Sequence, residues 1–284
     1  MRSAFLQRRI NLKLIYAENG VAYLRSELIT SPHGFATRIG GVSALPHTKG
    51  LNLAFGRGDE KETVLENLSL FASAVGIDAR SVCSVPQIHS KNVVTVDKSH
   101  SGYGYFKDSF FECDGYVTKD TGVSLGVKTA DCIPILLEGT DENGKVIAVG
   151  ALHAGWRGTA ANIVREGLLK LEELGVKAEN VRAAIGSGIC QRCFQVRRDC
   201  RDTILELLGE GYEKFIRADT DGEHFYVDLA KINRELLLDG GVAAENINVS
   251  ELCTACHPEL FYSHRYSNGV RGTMLSVIAL EKVN

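Results

Sequence analysis

The stretch VIAVGALHAGWRGTAANIVREGLLKLEELG, residues 146–175, decides the fold class. Its first seven residues form a short apolar run that suits a buried strand. AGWRGT (154–159) is a glycine-punctuated turn, and residues 160–175 carry apolar side chains at helical spacing up to Gly175, a stop signal. A strand, a tight turn and a helix in succession point to a mixed α/β or α+β chain. Working outward, 122–127 (GVSLGV), 132–138 (CIPILLE) and 181–185 (VRAAI) read as further buried strands, and the β-branched 92–97 (NVVTVD) as another. Helices are expected over 60–76, closed by Gly76, near 197–208, and over 228–239, where Asp228 is a good N-cap.

No repeat, low-complexity tract or shift in composition marks a boundary, so one domain over 1–284 is expected. Hydrophobic residues make up 44% and charged residues 24%, proportions that can build a large core. The formal net charge of −3 and the lack of a basic run argue against a nucleic-acid or anionic-membrane surface. Arg8, Arg9, Asn11 and Lys13 interrupt the N-terminal apolar residues, so no signal-peptide core forms. No window approaches the roughly 20 apolar residues of a membrane helix. The chain reads as cytoplasmic, where its eight cysteines are expected to be thiols, metal ligands or redox groups.

Three short motifs carry chemistry: PQIHS (86–90), TADCIP (129–134) and LHAGWRG (152–158). Each sets one metal-capable side chain (His89, Cys132, His153) at the edge of an expected strand. Two imidazoles and a thiolate would leave a fourth zinc position open, as catalytic sites require. A lone His or Cys beside a strand is more often packed or hydrogen-bonded than metal-bound, and the spacing alone favours that reading.

TRIGGVS (37–43), LNLAFGRGD (51–59), QIHS (87–90), TADCIP (129–134), HAGWRG (153–158) and IGSGIC (185–190) together resemble the YfiH-like family. The resemblance continues in order to CTACHPELFYSHR (253–265). Members go by the names laccase-domain protein, polyphenol oxidase and zinc-dependent purine nucleoside phosphorylase. The resemblance implies an α/β/β/α sandwich sharing its architecture with deamidase toxins of the cytotoxic necrotizing type, and it places a zinc ion on His89, Cys132 and His153. It also implies a purine nucleoside and phosphate as substrates, with accompanying adenosine deaminase activity.

Several residues fall into candidate roles within that activity. Asp131 is the carboxylate nearest Cys132 in sequence and a candidate proton shuttle, although a strictly extended 130–133 would turn it to the opposite face. Arg157, in a glycine turn opening a helix, is a candidate phosphate anchor, and Arg38 a second. Asn52, Gln87 and Ser187 are candidate contacts to ribose or base. Copper can occupy a His₂Cys site, but the eight histidines are scattered without a His-x-His pair, too few for a multicopper laccase. A metal-free cysteine hydrolase or amidase with Cys132 as nucleophile is the competing enzyme class, and editing of cell-wall precursors a related one. Cys190, Cys193, Cys253 and Cys256 form two C-x-x-C pairs, readable as a zinc knuckle, a redox pair or buried thiols.

Overall fold

The computed structural model describes residues 12–281, so the expectation about the first eleven residues lies outside it. The chain folds into two stacked six-stranded sheets and a small third one. The first sheet has the order β1 (Lys13–Tyr16), β2 (Ala22–Arg25), β3 (His33–Ala36), β15 (Met274–Ala279), β7 (Ser124–Thr129) and β4 (Val82–Cys83). The second runs β14 (Ile247–Val249), β10 (Val181–Ile185), β8 (Ile133–Thr140), β9 (Val146–Ala154), β6 (Gly115–Thr118) and β5 (Val93–Thr95). Three short strands, β11 (Gln195–Arg197), β13 (His224–Val227) and β12 (Ile216–Ala218), form the third sheet. The helices are α1 (Lys61–Val75), α2 (Trp156–Ala160), α3 (Ile163–Glu173), α4 (Arg198–Leu208) and α5 (Leu229–Asp239).

The alternation of side chains along β9 sets the layers. Ala148, Leu152 and Ala154 pack with Val164, Leu168 and Leu171 of α3 and Leu236 and Leu237 of α5. Val149 and Ala151 point the other way, into the core that holds Val127 and Leu275 of the first sheet. On β3, a Cβ at Gly34 would meet Val75 of α1, whereas the next residue, Phe35, lies against Gly186 beyond β10. The order is therefore helix, sheet, sheet, helices: the expected α/β/β/α sandwich.

Helix ends follow the sequence signals. The N–H of Ile77 bonds to Ala72 O and that of Val176 to Leu171 O, with Gly76 and Gly175 at φ of 78° and 92°. Asp228 accepts from the N–H of Lys231 at the start of α5. The helix expected from residue 160 instead starts at Ile163. Asn162 adopts φ 59° and caps Arg165 N, separating the single turn α2 from α3. The strand expected from Cys132 begins one residue later, because Asp131 has φ 96° and breaks the extended run.

Phe35 of the first sheet packs against the second at Gly186, where a Cβ would fall 2.3 Å from Phe35 Cδ1 and 2.9 Å from Pro134 Cγ. Replacing Gly186 with Ala should overpack this contact and lower the unfolding free energy by about 1–3 kcal/mol. A fall in the urea midpoint at constant m, partly recovered by adding Phe35→Leu, is the expected result; an unchanged midpoint would refute it.

Candidate metal centre

Two chain crossings and one strand end build the site. Between β4 and β5 the chain passes from the first sheet to the second, and His89 lies on that passage. Between β7 and β8 it passes again, and Cys132 closes the passage. His153 pairs with Pro134 near the end of β9. The ligand atoms of these three side chains lie within 4.8 Å of one another. Cys132 Sγ stands 3.8 Å from His89 Nε2, close to the ~3.6 Å that tetrahedral zinc with ordinary Zn–S and Zn–N bonds would impose. The two imidazoles meet edge to face, centroids 4.8 Å apart. His153 is buried, Cys132 half-buried and His89 exposed, so the cluster is reachable from solvent on one side.

The donor set fits a divalent ion, and Gly155 keeps room for it. A Cβ there would lie 2.9 Å from His89 Cδ2, 3.2 Å from Cys132 Sγ and 3.7 Å from His153 Cε1. The His89–Cys132–His153 cluster can therefore coordinate a metal; so can a second cluster, Cys190, Cys193, Cys253 and Cys256.

Asp114, at the head of β6, organises the first cluster and was not singled out from the sequence. Its carboxylate is fully buried. Oδ1 accepts from His153 Nδ1 at 2.8 Å and from His89 N at 3.0 Å. Oδ2 accepts from Ser90 N, Ser90 Oγ and Ile88 N. Burial acts to raise its pKa, but the hydrogen bonds from His153 and Ser90 win and hold it at about 2. Burial acts to lower His153, but its hydrogen bonds to Asp114 and Cys132 win and raise it to about 9; burial acts to raise the Cys132 thiol, but His153 and His89 lower it to about 6. Because Asp114 takes Nδ1, His153 presents Nε2 to the metal position, as ligating histidines usually do.

A cavity of about 300 Å³ opens over the cluster. Besides the three ligands its wall includes Phe55, Gln87 and three cations, Arg57, Lys128 and Arg271. Burial is the main cause lowering Lys128 to about 8 and Arg271 to about 10. Arg271 Nη1 donates to Gly272 O and Thr273 Oγ1, whereas its buried Nε has no partner among the described residues. Sequence reading passed over all three cations, although Arg57 lies inside LNLAFGRGD.

Gln87 lines the cavity, but its amide pairs with the backbone N–H and C=O of Lys128 and extends the edge of the first sheet. Asp131 does sit on a local bend; its carboxylate accepts from Thr254 Oγ1 at 2.6 Å and Arg265 N at 2.7 Å. Arg38, Asn52, Ser187 and Arg157 are not in the cavity wall. Arg38 donates to Pro258 O and Lys49 O and stacks on Tyr262. Asn52 is buried and bonds Asp59, Ala54 and Thr273. Ser187 pairs with Ser250, and exposed Arg157 stacks on Trp156.

Asp114→Asn should weaken metal binding by roughly 10–100-fold, measured by competition with a chromogenic chelator. Gly155→Ala should weaken it too while leaving the circular dichroism spectrum unchanged. Wild-type affinity in both variants would remove Asp114 and Gly155 from the account.

The comparisons agree with this architecture. The family described as multi-copper polyphenol oxidoreductase laccase matches residues 32–281. A Deinococcus radiodurans protein named purine nucleoside phosphorylase is 34% identical over 263 residues, covering 93% of this chain and 94% of its own. A protein named adenosine deaminase, from an unknown prokaryotic organism, is 31% identical, covering 81% of this chain and 87% of its own. The crystal structure of Bacillus licheniformis YfiH superposes with a TM-score of 0.85 at 28% identity, covering 94% of this chain and 99% of that one. No helix among the described residues is long and apolar enough to cross a membrane. The chain belongs to the YfiH-like family, whose model carries the laccase description and whose relatives bear the names of purine nucleoside phosphorylases.

Proposed function

We propose that this chain is a zinc-dependent purine nucleoside phosphorylase with accompanying adenosine deaminase activity, acting on a purine nucleoside and phosphate. The observation that carries the reading is the cavity: a His₂Cys cluster forms its floor and Arg57, Lys128 and Arg271 stand in its wall. The names of the Deinococcus and prokaryotic relatives support the same two activities.

When bound to His89, Cys132 and His153, zinc supplies Lewis acidity at the cavity floor; copper is the alternative occupant of such a donor set. The chain's own residues do the rest. Phosphorolysis joins a phosphate oxygen to the sugar's anomeric carbon while the bond from that carbon to the purine nitrogen breaks; the nitrogen keeps the bonding pair and takes up the proton that the phosphate loses. Arg57 and Arg271 hold the anion, and the unpartnered Nε of Arg271 offers it a charge-assisted hydrogen bond. Half-buried Phe55 gives the base an apolar face. Asp131, held by Thr254 and Arg265, fixes the turn that presents Cys132. The anchoring role expected of Arg157 and Arg38 passes to Arg57 and Arg271, which line the cavity.

A second reading has a specific observation behind it. Cys132, His153 and Asp114 form a thiol–imidazole–carboxylate relay, the arrangement of a cysteine hydrolase. Turnover that survives exhaustive chelation and stops on alkylation of Cys132 would favour it.

The deciding measurement is product analysis on metal-quantified protein with adenosine, with and without phosphate. Adenine should appear only with phosphate, inosine should appear in both, and Cys132→Ser should lose both products. Absence of both products from zinc-loaded wild type would sink the reading. Lys128 tests the anion wall through pH. Because burial sets its pKa at about 8, it is charged below that pH and neutral above. The KM for phosphate should therefore rise as pH climbs through 8, and Lys128→Arg should flatten that rise. Arg271→Gln should raise the KM for phosphate roughly 10–100-fold at all pH values.

A further inference from the structure

Outside the cavity, the structure gathers the four remaining chemistry-bearing cysteines. Cys190 and Cys193 lie on the loop leaving β10, and Cys253 and Cys256 on the loop following β14. All four Sγ atoms lie within 4.8 Å of one another. Cys193 Sγ is 3.4 Å and Cys190 Sγ 3.9 Å from Cys256 Sγ. Tetrahedral zinc with four Zn–S bonds of ordinary length separates its sulfurs by about 3.8 Å. A polynuclear iron–sulfur cluster, with its thiolates spread over several iron atoms, needs them further apart.

We propose that Cys190, Cys193, Cys253 and Cys256 bind one zinc ion as a tetrathiolate, a structural site distinct from the His89–Cys132–His153 centre. Each C-x-x-C segment is a tight turn closed through its backbone: Cys193 N–H donates to Cys190 O at 3.0 Å, and His257 N–H to Cys253 O at 3.1 Å. Cys190 N–H also donates to Cys253 Sγ at 3.2 Å. The four thiols release their protons when the ion binds. Arg265, anchored on Cys193 O and Gln195 O, sets a cation beside the site.

Backbone hydrogen bonds tie the two loops together. Gly188 and Cys253 form a parallel bridge, and Thr254 N bonds to Gly188 O. The same two loops hold Asp131: its carbonyl accepts from Ile189 N, and its carboxylate from Thr254 Oγ1 and Arg265 N. Zinc here therefore braces the turn that delivers Cys132 to the cavity.

The test uses full-length protein purified under reducing conditions, with metals quantified by mass spectrometry. Wild type should carry about two equivalents of zinc, and the His89→Ala/His153→Ala variant, with all four cysteines intact, about one. Replacing that remaining ion with Co²⁺ should give sulfur-to-metal charge transfer and the strong visible bands of a tetrahedral tetrathiolate. Cys253→Ser/Cys256→Ser should lose one equivalent and melt at lower temperature. Should that variant fail to fold, titrating wild type with a mercurial thiol reagent should release both equivalents, against one from Cys132→Ser. A His89→Ala/His153→Ala protein without metal or thiolate–cobalt bands would overturn the proposal. So would stoichiometric iron at the four sulfurs, or a Cys193–Cys256 disulfide in the purified wild type.

Discussion

The buried carboxylate of Asp114 is the constraint on which the centre depends. Sealing an ionised carboxyl inside a protein costs several kcal/mol unless its lone pairs are met. Here five donors meet them, three from the backbone of residues 88–90 and one each from Ser90 Oγ and His153 Nδ1. The same bonds explain a backbone anomaly. His89 has φ 59°, a region that a non-glycine residue enters at a cost. Turning the N–H groups of 88–90 toward one carboxylate offsets that cost and sends the His89 ring outward to the thiolate. One side chain thus sets both imidazoles, although they arrive from different parts of the sandwich.

The site exists where it does because the chain changes sheet there. A crossing between stacked sheets interrupts both ladders, leaves backbone groups without strand partners and opens a gap at the end of the layers. Gln87 satisfies part of that need by pairing with the Lys128 backbone as a strand residue would. Glycines set how tightly the rest can close: Gly186 lets Phe35 reach the second sheet, and Gly188 lets the loop press on Ile133 and the Asp131 carbonyl. At Gly155 the missing side chain leaves space among the three ligands. Packing and chemistry therefore ask for glycine within HAGWRG and IGSGIC for different reasons.

Periodicity read from the sequence located the long elements well. α1, α4, α5 and β10 lie where 60–76, 197–208, 228–239 and 181–185 placed them. It gave no sign of β1 to β3, whose four residues each carry too little pattern, and it passed over β15, although MLSVIA is as apolar a run as those read as strands; together these four supply most of the first sheet. The metal trio was legible because each ligand sits in a short distinctive motif. Asp114 was not, since ECDG (112–115) differs little from an ordinary turn and its partners lie 24 to 39 residues away. Arg271 and Lys128 were hidden for the same reason: the cavity is assembled from segments distant in sequence. Arg157 and Arg38 were expected as anchors from their glycine turns and the family resemblance, neither of which can tell a cavity wall from a ring stacked on Trp156 or Tyr262.

Cys132 is the residue on which the two chemical readings diverge, and His89 separates them. A thiol nucleophile needs one base and one group to orient it, and His153 with Asp114 already fills both places. A second imidazole, 3.8 Å from the same sulfur and edge to face with the first, adds nothing that a proton relay requires. A metal ion, by contrast, needs a third protein ligand to be held firmly while a coordination position stays open. His89, held on a left-handed backbone by Asp114, stands where a third ligand would stand, an arrangement that fits a metal centre better than a two-residue proton relay.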